Sequence, residues 1–457
     1  MISLTLQKVF SVIDRDLNSS INLLKDFVAQ PSVCATGEGV RDMARMLGEV
    51  LKELGFSVSY HETPTKAPII HAVLKGKEEK TLMFYNHYDV QPPDPLSEWE
   101  SPPFEPVVRD GKLFGRGVND NKGNIVARIA ALKAVTEVFG ESPLTVRFVI
   151  EGDEECSSRG FSGFIDECRE ELRADGCIWE SGYVDKDGRL QMYAGMKGIL
   201  YVEFVARGAE RDLHSSMGTI IPNPAWRLVW ALSTIKGPDE KVLIEGFYDD
   251  VADPAPEDIR ALEEVPFDEE FLKDLTGVKE FTKKATGLQL KIEHFFKPTA
   301  TIDGLVSGYI GEGSKTVLPS RAVAKLDFRL VPNQDPHDIF EKLRQHLARH
   351  GFSDIEVKLL GAEHPGKSPI NSEIAEVAAK AAERVYEKPP VLLPMTVGSG
   401  PFYYVANKLG VPTISAGIGY YDSKAHAPNE NIRIEDFRKG IKHMAAVICM
   451  FAESRVS

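Results

Sequence analysis

Between residues 37 and 54 apolar side chains fall at Val40, Met43, Leu47, Val50, Leu51 and Leu54, a spacing that predicts an amphipathic helix ended by Gly55. Residues 1–30 ahead of it read as helical too. Short strands are then expected over residues 56–60, 69–74 and 81–85, the last running straight into Asn86, His87, Tyr88 and Asp89. Residues 123–139 repeat Ile125, Ile129, Leu132, Val135 and Phe139, which predicts a helix with one buried stripe. Residues 144–150 form a run with β-branched and aromatic weight, the pattern of a buried strand. That run empties abruptly into Glu151, Asp153, Glu154 and Glu155. A helix over 161–172 and a strand over 174–179 follow, the strand leading into Glu180. The alternation predicts an α/β layer, doubly wound around a mainly parallel sheet, whose carboxyl ends collect functional groups.

From Gly198 the pattern changes. Strands over 200–206, 299–307, 321–331 and 354–360, with helices over 223–235 and 336–350, predict a smaller α+β domain inserted in the first. The expected organisation is residues 1–197 and 367–457 as two parts of a catalytic domain, interrupted by residues 198–366. The second part carries a helix over 372–386, a glycine loop over 397–401 and a strand over 411–416. No internal repeat or low-complexity segment interrupts this pattern.

The 457 residues, 43% hydrophobic and 27% charged, are those of an ordinary globular chain, and a net charge of −14 without a basic stripe excludes nucleic acid and anionic membrane as partners. No apolar run is long enough to span a bilayer. The first 17 residues carry charges where a signal peptide needs an apolar core, so a cytoplasmic location is expected. Cys34, Cys156, Cys168, Cys177 and Cys449 are odd in number and lack CxxC spacing. Reduced thiols are therefore expected, and a thiolate metal site is not. The acidic run over residues 245–270 reads as a solvated surface insertion.

The chemistry gathers at the predicted strand ends. Four carboxylates at one strand terminus repel one another and raise each other's pKa values unless cations share their pocket. His87 and Asp89, two residues apart, suit a metal ligand with a carboxylate beside or behind it. Asp120 sits at the mouth of a helix among Gly115, Gly117 and Gly123, where it could equally cap that helix. His87, Asp120, Glu180, His426 and one of Glu154 and Glu155 supply two imidazoles and three carboxylates. Such a set can hold two divalent ions if one carboxylate bridges them, with zinc the leading choice and manganese or cobalt as alternatives. Paired ions of this kind serve amide hydrolysis. The residues alone leave open which of Glu154 and Glu155 ligates and which acts as base.

The motifs NHYDVQP (residues 86–92), GRGVNDNKG (115–123), EGDEE (151–155), the acidic strand end at Glu180 and SKAHAPNE (423–430) occur in an order that resembles the M20 metallopeptidases. That group includes carnosinase-type dipeptidases, carboxypeptidase G and the acetylornithine and succinyl-diaminopimelate deacylases. The resemblance implies a di-metal catalytic domain interrupted by a lid or dimerisation domain, and a homodimer. It implies that Asp120 bridges two metals, that His87 and Glu180 bind one, and that Glu155 and His426 bind the other. Glu154 would be the general base and Asp89 would orient His87. His214 resembles a histidine that reaches the neighbouring subunit's site and stabilises an oxyanion. Thr316, Arg329 and Ser399 resemble residues that bind the substrate's free carboxylate. Glu180 departs from the aspartate of many carnosinase-type members, and HSS at residues 214–216 departs from the common HSG. The implied reaction is hydrolysis of dipeptides or short peptides with a free C-terminal carboxylate. Deacylation of N-acyl amino acids is the alternative, and a non-catalytic homologue that binds peptide or metal is a further one, against which the retained Glu154 argues.

Overall fold

A six-stranded sheet in the order Ser57–His61, Ile69–Leu74, Leu144–Glu151, Glu78–His87, Gly176–Trp179, Thr413–Ser415 carries the first of two compact units in the computed structural model, which describes residues 2–454. This unit comprises Met1–Gly195, Lys367–Pro394 and Pro401–Ser457; Met196–Gly366 and Met395–Gly400 form the other. The return of residues 395–400 to the second unit is a feature that the strand and helix pattern does not signal.

The sheet is mixed, with three of its five strand pairings parallel. Its last four strands run parallel, whereas Ile69–Leu74 pairs antiparallel with both neighbours. Only short links join that strand to the ones before and after it in sequence, and parallel pairing requires a crossover of roughly a dozen residues or more. The central strands are covered on both faces, so Leu82, Met83, Phe84 and Tyr85 are all buried and the sequence reads as a continuous apolar run rather than an alternating one. The helices Lys122–Phe139 and Ile434–Glu453 pack against each other and against Glu78–His87, with Ile2–Ala29 laid over both. Lys122–Phe139 buries nearly the whole circumference of its first two turns, where the sequence predicts a single stripe. Residues such as Lys122, Asn124 and Arg128 hide this, because they are polar and yet buried.

Cys34 and Cys156 are joined by a disulfide, with their Cα atoms 6.2 Å apart. This corrects the expectation of five reduced thiols. The two lie 122 residues apart, beyond the reach of any local spacing rule, while Cys168, Cys177 and Cys449 are free and buried as expected.

The second unit is built on an antiparallel sheet in the order Thr299–Ser307, Arg321–Leu330, Gly198–Arg207, Glu356–Glu363. Leu200, Val202, Phe204 and Ala206 alternate onto one face and meet Leu228, Ile235, Ile339 and Leu343 from the helices Pro224–Ile235 and Pro336–Arg349. Each helix opens with an acidic or amide cap followed by proline: the Asn223 side chain accepts from the Ala225 N–H, and Asp335 accepts from those of His337 and Asp338. The acidic insertion is partly structured, with helices Pro256–Glu264 and Glu269–Thr276.

Candidate metal centre

The parallel strands of the first unit bring their carboxyl ends to one edge. His87 is the last residue of its strand and stands in register with Glu151; the strand Gly176–Trp179 ends just before Glu180. The buried Arg128 guanidinium ties this edge together by donating to the carbonyl oxygens of Tyr85 (2.8 Å), Trp179 (2.7 Å) and Ala416 (3.1 Å).

One carboxylate is shared by two groups of side chains. His87 Nε2 lies 3.0 Å from Asp120 Oδ1 and 3.4 Å from Glu180 Oε2, while His426 Nε2 lies 3.2 Å from Asp120 Oδ2 and 3.1 Å from Glu155 Oε2. Asp120 therefore turns one oxygen to each histidine. Glu180 Oε2 and Glu155 Oε1 are buried without a hydrogen-bond partner. Asp120, Glu155 and His426 each offer an atom within 4.8 Å of the others. Nitrogen and carboxylate donors without thiolate, with buried oxygens lacking a donor, fit divalent cations such as zinc.

The polar groups around this centre also hold its parts in place. His87 Nδ1 lies 3.1 Å from the Asp89 carbonyl and 3.4 Å from its carboxylate, so Asp89 fixes the ring. The same carboxylate accepts from the backbone N–H groups of Glu154 (3.3 Å) and Glu155 (3.0 Å), which orients the turn carrying both. Gln91 Nε2 donates to Glu155 Oε2 at 2.9 Å. The Glu154 carboxylate takes no part in the four histidine contacts. Burial, then the neighbouring charge of Glu180, pushes its pKa well above the usual carboxylate range, with His87 opposing. Glu180 is pushed up to about 7, chiefly by burial. His426 is raised to about 10 by its hydrogen bonds to Asp120 and Glu155.

The acidic strand end divides into two pairs. Glu154 and Glu155 face the centre, whereas Glu151 accepts from the hydroxyls of Tyr85 and Ser158, and Asp153 accepts from that of Thr65. Asp120 does not cap the helix that follows it: the residue in the capping position is Asn121.

Glu430 is a residue that sequence reasoning misses. It is fully buried, pairs with Arg116 Nη1 at 2.7 Å, and accepts from the backbone N–H groups of Gly117 (2.9 Å), Asn119 (2.9 Å) and Asp120 (3.0 Å). Gly117 takes a left-handed φ of 85° there, and a Cβ would lie 2.6 Å from Val90 Cγ1. Glu430 thus holds the loop that presents Asp120. Its signal was its place at the end of SKAHAPNE, with Arg116 inside GRGVNDNKG.

The remaining candidates belong to the second unit. Arg329 donates through Nη1 to Ser399 Oγ (2.9 Å) and through Nε to Asp327 (3.1 Å), so the structure brings Arg329 and Ser399 together. His214 is exposed. Its Nδ1 accepts from the Ser216 N–H at 3.2 Å and lies 2.8 Å from Ser216 Oγ, which puts the ring proton on Nε2. Thr316 stands beside it, its carbonyl accepting from the Ser215 N–H at 3.2 Å.

The model of peptidase family M20/M25/M40 matches residues 83–449. The chain is similar to the Cys-Gly metallodipeptidase dug1 of Schizosaccharomyces pombe, with 28% identity covering 96% of this chain and 97% of that one. It is 27% identical to the Beta-Ala-His dipeptidase of Rattus norvegicus, covering 97% of this chain and 94% of that one. Among solved structures it resembles the M20 family metallo-carboxypeptidase Sso-CP2 from Sulfolobus solfataricus, at 38% identity and a TM-score of 0.89 over 95% of this chain and 99% of that one.

Proposed function

The chain belongs to peptidase family M20/M25/M40, and from that premise we propose that it is a metal-dependent dipeptidase that cleaves dipeptides or short peptides beside a free C-terminal carboxylate. The observation that carries the reading is Asp120, one carboxylate oxygen turned to His87 and the other to His426, with Glu180 and Glu155 completing the two sets. His87, Asp120 and Glu180 would hold one cation, and Asp120, Glu155 and His426 a second. Bound divalent ions supply Lewis acidity, polarising the scissile carbonyl and letting water lose a proton near neutral pH. Zinc suits the nitrogen and oxygen donors best, with manganese or cobalt as alternatives.

Glu154 has the environment of a proton carrier. Its carboxyl is free of the histidine contacts, and burial favours its protonated form, so it can take a proton from water and pass it to the leaving amine. Asp89 keeps Glu154 in place through its N–H and His87 through its ring. In the second unit Arg329, steadied by Ser399, offers the planar fork that suits a terminal carboxylate, with Thr316 assisting. The exposed Nε2–H of His214 is a donor for a developing oxyanion. Residues 198–366 would then serve as the lid and dimerisation domain. Exposed Ile220, Trp226 and Trp230, together with the exposed apolar edge-strand residues Leu305 and Val306, support a homodimer. No described helix is long and apolar enough to cross a membrane, and a cytoplasmic location remains part of the proposal. Deacylation of N-acyl amino acids is not favoured, because the two dipeptidases and the metallo-carboxypeptidase described above are named for peptide cleavage.

The test is hydrolysis by purified protein, stripped by a chelator and reloaded with zinc, manganese or cobalt, against unblocked dipeptides, tripeptides and N-acyl amino acids. Metal-dependent cleavage of the unblocked peptides is expected. Release of acyl groups alone would overturn the substrate assignment, and turnover undiminished by chelation would overturn the metal requirement.

A further inference from the structure

Within the second unit a cavity of about 320 Å³ runs against the charge of the molecule. Five bases line it, Lys197, Lys236, Lys283, Lys297 and Arg329, against the two carboxylates of Glu240 and Glu293, although the whole chain carries −14. Three of the bases are neutralised where they stand: Lys236 pairs with Glu240, Lys283 with Glu293 at 2.8 Å, and Lys297 with Asp253 at 3.2 Å. Arg329 leans on Asp327.

Lys197 differs from the others. It is 3% exposed, and among the described residues no carboxylate lies within ion-pair distance of it. Its Nζ donates to the Lys297 carbonyl at 2.7 Å, which uses one of the three hydrogens of an ammonium. A buried ammonium without a counter-ion is costly, and an anion entering the cavity removes that cost. Burial first, and then the neighbouring Arg329, lower its pKa to about 8, with Glu293 opposing, so it remains cationic at neutral pH. The apolar wall is formed by Phe267, Leu272, Phe281 and Leu290. Phe267 comes from the segment that the sequence reads as a solvated acidic insertion. A charged end and an apolar wall in a space of this size match a short side chain that ends in a carboxylate.

We propose that Lys197 forms a second anion subsite beside Arg329, which selects peptides whose C-terminal residue is aspartate or glutamate. The inference rests on the reading of Arg329 as holder of the terminal carboxylate. Arg329 would take the main-chain carboxylate and Lys197 the side-chain one.

The test compares isosteric ligands that differ only in the side-chain charge. Calorimetry measures binding of free glutamate and free glutamine, the expected products, and kinetics measure hydrolysis of Gly-Glu and Gly-Gln. The wild-type protein should prefer the glutamate member of each pair by about ten-fold or more. Lys197→Met should abolish that preference through Kd and KM while leaving kcat for Gly-Gln within about two-fold, and Lys197→Arg should restore part of it. Equal affinity of the wild-type protein for glutamate and glutamine would overturn the subsite, whatever the variants do, and so would a preference that persists in Lys197→Met. Glutamate binding that depends on Lys197 in a protein that hydrolyses neither peptide would uphold the subsite and sink the peptidase reading instead.

Discussion

Glu154 and Glu155 are neighbours in sequence with different surroundings, and that difference is the residue-scale argument for their roles. Glu155 Oε2 meets His426, whereas the Glu154 carboxylate meets neither histidine and is held toward its protonated form by burial. Glu154→Gln is expected to cut kcat on the order of 10²–10⁴-fold while metal content, measured by atomic emission, stays that of the wild type. Metal loss matching the activity loss would instead make Glu154 a ligand. Glu430 acts at one remove. Burial raises its pKa, and Arg116 and the amides of Gly117 and Asp120 oppose that. Glu430→Gln leaves Arg116 without its partner and weakens the support of the loop behind Asp120. Metal affinity should fall about 10–100-fold by competition with a chromogenic chelator. Unchanged affinity would reduce Glu430 to a purely structural buried ion pair. Metal chemistry was legible in the residue types around His87 and Asp120; the share of it due to Glu430 was not, because an acid at the end of a motif looks like any surface charge.

At the scale of the element, the helix Ile434–Glu453 closes the first unit with His443 buried inside it, and a ring nitrogen donates to the Ala378 carbonyl at 2.9 Å. Burial lowers the pKa of His443 to about 4. Its folded form stays neutral between the unfolded value of 6.5 and about 4, while the unfolded chain takes up a proton. Stability is therefore lost as pH falls through that window, by about 3 kcal/mol for this group. Urea unfolding from pH 7 to pH 4.5 should show the loss, and His443→Gln should flatten the slope. An unaltered slope would assign the effect to other groups. The sequence pattern names no helix here: polar residues such as His443 are buried and blur the apolar stripe, as Arg128 does in Lys122–Phe139.

At the scale of the whole molecule, the exposed Trp226, Trp230 and Ile220 motivate the proposed homodimer. The double variant Trp226→Arg, Trp230→Arg should sediment as a monomer where the wild type sediments as a dimer; a wild-type monomer at micromolar concentration would end that proposal. If His214 serves a neighbouring subunit's site, mixing inactive His214→Ala with inactive Glu154→Gln should recover about a quarter of the activity through hybrid dimers, on the arithmetic of random subunit exchange in a two-fold assembly. No recovery after exchange verified by mass spectrometry would place the two roles in one chain.

Periodicity and motif order by themselves determined the alternation of strands and helices, the change of texture at Gly198 and the residue types of a hydrolytic metal centre, because each depends on local spacing along the chain. Only the tertiary structure decided the mixed pairing of the sheet edge, the Cys34–Cys156 bond, the hold of Glu430 on the loop behind Asp120 and the burial of Lys197 in a basic cavity. Each of these depends on which distant residues become neighbours. Charge, burial and pKa are properties of those neighbourhoods, so an acidic chain can enclose a basic cavity without any local pattern announcing it.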